Sequence, residues 1–124
     1  MDVDLLEASP VQIEGAKKNV PTVRNFFCEG MQHHNFRARY DCIWLQWCVG
    51  YLLDTDFIDF LKKAKRDGLL RTKDGKTGLV FIKDNCCKDS TWLLDRDDNS
   101  VARTDKQFDE IFKASGFTVM SKFD

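Results

Sequence analysis

The segment Tyr40–Trp47, YDCIWLQW, constrains the fold more than any other. It is almost continuously apolar, without a polar residue at every second position. Such a run suits a parallel strand covered on both faces. A parallel partner needs a crossover, so helices are expected on either side of this strand in sequence.

The flanking segments supply them. Val3–Glu7 (VDLLE) reads as a short strand ending in an acid. Ser9 then precedes Pro10, a strong helix start, and this helix is predicted to end near Asn19, before Pro21. Val23–Cys28 is a second strand candidate, and Glu29–Arg39 a polar loop. After the central run, Asp54 or Thr55 is placed to cap a helix whose apolar stripe is Phe57, Ile58, Phe60, Leu61 and Ala64. Gly68–Gly78 reads as a glycine-rich loop and Leu79–Ile82 as another buried strand. Lys88–Val101 reads as polar and irregular. Thr104 or Asp105 caps a last helix that Gly116 ends, and Phe117–Phe123 is a final strand candidate. The order β-α-β-β-α-β-α-β predicts a doubly wound α/β sheet. No repeat or linker divides the chain, so residues 1–124 are read as one domain.

Composition narrows the functions. Apolar residues make up 43% and charged residues 31% of the 124, an ordinary globular balance. The net charge of -1 gives no electrostatic reason to expect nucleic-acid binding. The apolar stretch Cys42–Tyr51, broken by Gln46, is too short to span a bilayer. No basic-then-apolar segment opens the chain, which argues against secretion. The five cysteines include no CxxC pair, and the expectation is reduced thiols in an intracellular protein. Neither Cys86-Cys87 nor His33-His34 has the spacing of a closed zinc site.

In an open parallel sheet, ligands bind beyond the carboxyl ends of the strands. Glu7, Gln46 and the pair Asp84-Asn85 stand there. Glu7 could accept hydrogen bonds from both ribose hydroxyls of a nucleoside, or could simply favour the positive end of the next helix. Trp44 and Gln46 should share one face of their strand and Trp47 the other. A buried Gln46 would need a partner for its amide. Trp47 could wall a cleft or pack in the core. Asp95, Asp97 and Asp98 form an acidic loop that could hold a cationic amine and accept its proton, or remain a solvated charge run. No GxSxG, and no GxGxxG of a nucleotide-dependent oxidoreductase, is present.

Taken together, YDCIWLQWCVGYLLD, LVFIKDN and LLDRDDNSVAR resemble the α-N-terminal protein methyltransferases, and VDLLEASPVQIEGAK and VRNFFCEGMQ resemble that family's two preceding segments. The resemblance runs collinearly from about Val3 to the C-terminus. It implies a class I S-adenosylmethionine-dependent methyltransferase sheet, Rossmann-like, with helices on both faces. It implies S-adenosyl-L-methionine as cofactor and methylation of the α-amine of proteins beginning X-Pro-Lys/Arg, with neither nucleic acid nor membrane as partner, in cytoplasm and nucleus. Glu7, Ala8 and Ser9 match the ribose-binding segment, Met31 and Gln32 the segment flanking the adenine, and Gln46 the glutamine near the methionine part. Trp47, Asn85, Asp95 and Ser100 match substrate-side positions. Asp98 matches the general base or amine-orienting acid.

The sequence departs from the family pattern in two places. Tyr51 stands where the family has a histidine. A phenol with a reference pKa of about 10 is a poor base near neutral pH, which puts more weight on Asp98. The family's glycine-rich first strand and loop would lie before Met1, and its last strand after Asp124. The expectation is therefore a partial methyltransferase domain. The alternative is a catalytically inactive fragment acting as a binding module.

Overall fold

A computed structural model describes residues 1–88, 93–97 and 99–123. The chain divides into two compact units, Met1–Asn35 and Phe36–Asp124.

The first unit is a β-α-β element. Strand β1 (Asp4–Leu6) pairs in parallel with β2 (Asn25–Phe27), in the register Asp4 to Asn25 and Leu6 to Phe27. Polar contacts at the start of both strands hold that register. Arg24 forks onto the Asp4 carboxylate at 3.0 and 2.8 Å, and Asn25 Nδ2 donates to it at 3.1 Å. Helix α1 (Pro10–Asn19) starts as expected. The Ser9 hydroxyl caps it by accepting from the Gln12 amide, and Lys17 and Lys18 lie in the last turn. These cations complement the negative helix end.

The second unit begins with β3 (Cys42–Gln46), parallel to β4 (Leu79–Lys83) from Cys42 opposite Leu79 to Gln46 opposite Lys83. Helix α2 (Asp54–Lys63) runs into a wider turn, Ala64–Gly68. Strand β7 (Ser100–Thr104) lies between β5 (Cys86–Cys87), parallel to it, and β6 (Leu93–Asp95), antiparallel to it. Helix α3 (Asp105–Ser115) follows directly. The core is built where α2 meets α3. Phe57 is fully buried, with the rings of Phe108 and Phe112 edge-on at 6.4 and 6.5 Å. Leu45, Val49, Phe60, Leu61 and Ile111 are buried too.

Several sequence expectations are corrected. β3 is covered on one face only: Ile43 is partly and Leu45 fully buried, while Cys42, Trp44 and Gln46 are exposed. Trp44 instead stacks on Phe81 of β4, centroids 5.6 Å apart. Neither Asp54 nor Thr55 caps α2; Leu53 occupies the cap without a side-chain bond, because the Asp54 carboxylate is taken by Arg103. Lys88–Val101 is not wholly irregular, since β6 and β7 form a hairpin in which Asn99 takes a left-handed φ of 59°. Phe117–Phe123 forms no strand. After the left-handed turn at Gly116, that segment is tied back by Lys122, which pairs with Asp105 and Asp109 of α3. Of the two histidines, His34 lies in the loop after a short turn as expected but is buried there, its Nδ1 2.6 Å from Glu29 Oε1.

Candidate functional site

In the first unit, the carboxyl ends of β1 and β2 carry Glu7 and the Gly30–His34 segment. Glu7 continues the ladder, its amide donating to Phe27 O at 3.0 Å. Its Oε1 accepts from the Ser9 amide at 3.1 Å. The carboxylate therefore braces the turn into α1 without being a helix residue, and its second oxygen carries no bond to the described residues. Ala8 and Ser9 form that turn. Met31 and Gln32 sit in a short 3-10 turn, Met31–His33, just after β2. The Gln32 amide folds back against Gly30, where a Cβ would lie 2.7 Å from its Oε1 and displace it. A carboxylate with an open oxygen at one strand end, a thioether and an amide at the next, suit a ribose and an adenine edge. These residues fit the nucleoside part of S-adenosylmethionine.

In the second unit, the ends of β3 and β4 open on a cavity of about 310 Å³. Trp47 follows β3 on one side. Its amide donates to Lys83 O at 2.9 Å, and its φ of 50° turns the chain out of the strand. A bulky residue rarely adopts that backbone, which is the kind of strain found where a side chain must be aimed. The indole is 56% exposed, so it is not core packing. The Lys83 ammonium lies 5.1 Å from its ring centre. Next, Gly50 and Tyr51 belong to a 3-10 turn, Val49–Tyr51, that forms a second wall. Gly50 is required there, since a Cβ would meet Val101 O at 2.9 Å. Asp84 and Asn85, beyond β4, form a third wall, and Ser100 to Ala102 of β7 the fourth.

Asp84 is the electrostatic centre of the cavity. One oxygen accepts from the Asn85 amide at 2.7 Å. The other, Oδ2, is buried and has no hydrogen-bond partner among the described residues. Burial pushes its carboxyl above the usual carboxylate range, against the opposing pull of the Asn85 and Val49 amides and the Arg103 charge.

The cavity thus gathers four residues given a site role from sequence, namely Trp47, Tyr51, Asn85 and Ser100. Gln46 does not line it; its Oε1 accepts from Trp44 Nε1 at 3.0 Å, so the amide is paired, though on an exposed strand face. Asp95 ends β6 with its backbone opposite Ser100. Asp98 lies outside the described residues. Sequence reasoning noticed Asp84 as a polar strand end but gave it no role in the site. It missed Gly50 and Arg103 altogether. Only the VGY sequence after an apolar strand hinted at a tight turn.

A family model described as AdoMet dependent proline di-methyltransferase matches residues 1–124. Alpha N-terminal protein methyltransferase 1 of Dictyostelium discoideum is 40% identical over 119 residues, 93% of this chain and 42% of its own length. N-terminal Xaa-Pro-Lys N-methyltransferase 1 of Bos taurus is 36% identical over 101 residues, 81% of this chain and 42% of its own. A SAM-dependent methyltransferase of Leishmania major, of known structure, superposes with a TM-score of 0.82 at 31% identity, over 95% of this chain and 46% of that one. The chain therefore spans a little under half the length of these relatives.

Proposed function

Because the chain belongs to the AdoMet-dependent proline di-methyltransferase family, we propose that it serves S-adenosyl-L-methionine-dependent methylation of the α-amino group of proteins beginning X-Pro-Lys/Arg. The observation that carries this reading is the cavity that brings Trp47, Tyr51, Asn85 and Ser100 around the Asp84 carboxyl. It is small, open at the carboxyl ends of β3 and β4, and lined by both an aromatic wall and amide and carboxyl groups. A peptide N-terminus with proline at its second position needs that mixture.

The residues divide the work. S-adenosylmethionine, when bound, supplies an electrophilic methyl group. Glu7, Ala8 and Ser9 hold its ribose, Met31 and Gln32 flank its adenine, and Gln46 stands near its methionine part. The amine must be neutral to attack, so its proton has to leave beforehand. Trp47 covers the proline ring, while Asn85 and Ser100 bond the peptide backbone. The Lys83 ammonium over Trp47 disfavours a second cation at that wall, which helps the amine bind uncharged. Asp98 and Asp95 are the acidic groups assigned to amine and substrate, and Tyr51 orients the amine as a hydrogen-bond partner. Positioning accounts for most of the acceleration expected of such a site. The setting is cytoplasmic and nuclear, and no helix among the described residues is long and apolar enough to cross a membrane.

The test is mass spectrometry of two peptides incubated with protein and S-adenosylmethionine, one beginning Ser-Pro-Lys and one acetylated with an internal lysine. Methyl groups on the free α-amine alone are expected. Methylation confined to the internal lysine would overturn the reading, and tight peptide binding with no transfer would leave a binding module.

A further inference from the structure

Arg103 is 3% exposed, deep in β7. A guanidinium buried there is costly unless its donors are satisfied. Its donors go to one place. Nη1 donates to Val49 O at 2.8 Å, Nη2 to Leu52 O at 2.6 Å, and Nε to Asp54 Oδ1 at 2.8 Å. The Phe57 ring closes over it, 5.3 Å from centroid to Cζ. Val49 begins the 3-10 turn and Leu52 follows it. Asp54 opens α2. One side chain thus spans the turn and the start of the helix behind it.

We propose that Arg103 is the positioning residue of the cavity, setting the wall of Gly50 and Tyr51 by clamping the Val49–Leu52 carbonyls. The Tyr51 ring is 58% exposed, so burial does little to fix its direction. The backbone of the turn carries it, together with Gly50, into the cavity wall. Gly50 rests against the β7 backbone at Val101, and Arg103 reaches up from two residues further along the same strand. The turn is therefore held to β7 by a close backbone fit and by two hydrogen bonds to the Val49 and Leu52 carbonyls, while the third, to Asp54, ties the same guanidinium to the start of α2. A planar fork with donors in fixed directions can do this. A lysine, with one flexible nitrogen, cannot reach all three acceptors. The same positive charge lies close enough to favour the ionised form of Asp84, which also lines the cavity. Arg103 does not itself line the cavity. Its role in peptide binding rests on the function proposed above; its hold on the turn does not.

The test compares wild type, Arg103→Lys and Asp54→Ala by two readouts. The first is the affinity for a Ser-Pro-Lys peptide. The second is hydrogen exchange at the Tyr51 and Leu52 amides, referenced to Leu45 and Phe81 in the β3–β4 sheet, which a general loss of stability would accelerate equally. Arg103→Lys should weaken peptide binding by about tenfold or more and speed exchange in the turn by a similar factor, with the reference amides unchanged. Asp54→Ala removes one of the three bonds and should move both readouts the same way by about threefold, which carries the test if the first variant does not fold. An unchanged turn, or a loosened turn with unchanged peptide affinity, would overturn the proposal. If wild type binds no peptide, the function proposed above fails. The exchange of Tyr51 and Leu52 then decides the clamp alone.

Discussion

Asp84 and Glu7 are both carboxylates at strand ends, yet their surroundings ask different things of them. The Asp84 carboxyl titrates at higher pH in the folded chain than its ordinary 3.8, chiefly because burial disfavours the charge. Over that window the folded state holds more protons than the unfolded one, so stability falls as pH rises through it. Asp84→Asn keeps an oxygen for the Asn85 amide and removes the charge. Urea midpoints measured from pH 3 to 8 should show the variant gaining on wild type as pH rises above about 4, the region of the free carboxyl pKa. Parallel curves would mean that burial does not govern this group. Glu7 is tested by Glu7→Gln, which retains an acceptor for the Ser9 amide and removes the negative charge. If the carboxylate holds ribose hydroxyls, S-adenosylmethionine affinity measured by calorimetry should fall about tenfold, with little change in stability. Equal affinity in the variant would reduce Glu7 to a turn brace.

Among the elements, α3 has the most complete set of end signals. The Thr104 hydroxyl accepts from the Gln107 amide at 3.1 Å, Gln107 Oε1 accepts from the Thr104 amide at 2.9 Å, and Gly116 closes the helix at a φ of 80°. Thr104→Ala should cost about 1 kcal/mol, and Thr104→Ser should recover most of it. Thermal melts of the two variants check this, and indistinguishable curves would remove the cap from the account. Such local chemistry is why Ser9-Pro10 and Thr104 could be read from sequence, each cap being set within four residues. The strands β6 and β7 could not. They pair locally as a hairpin, but β6 is only three residues long and Arg103 breaks the apolar alternation that would have marked β7. Its bonds to Val49, Leu52 and Asp54 cross about fifty positions of sequence. Part of the site was legible because strand ends in this architecture face the ligand, which singled out Trp47 and Asn85. Tyr51 and Ser100 came only from the family pattern. That Trp47 leaves the strand in a left-handed conformation had no sequence signal, since a tryptophan after an apolar run reads as one more strand residue.

For the whole molecule, surface and charge act together. β3 has a single hydrogen-bonded neighbour, β4, among the described residues, so its other edge offers unpaired amides and carbonyls. The exposed face of the same pair carries Trp44 at 58%, Phe81 at 44% and Leu79 at 43%. Open edges joined to apolar faces favour association between copies unless charge opposes it. Net charge opposes it weakly here, at -1 near neutrality with an isoelectric point of about 6.1. Sedimentation velocity should therefore show association that rises with concentration, is strongest near pH 6 and weakens toward pH 8.5 as the negative charge grows. Trp44→Glu adds a negative charge to the exposed face without touching the buried Leu45 beside it, and should shift the equilibrium toward monomer at both pH values. A single monomeric species near pH 6 at about 100 μM, a concentration at which exposed edges commonly pair, would show that this face and edge do not drive association.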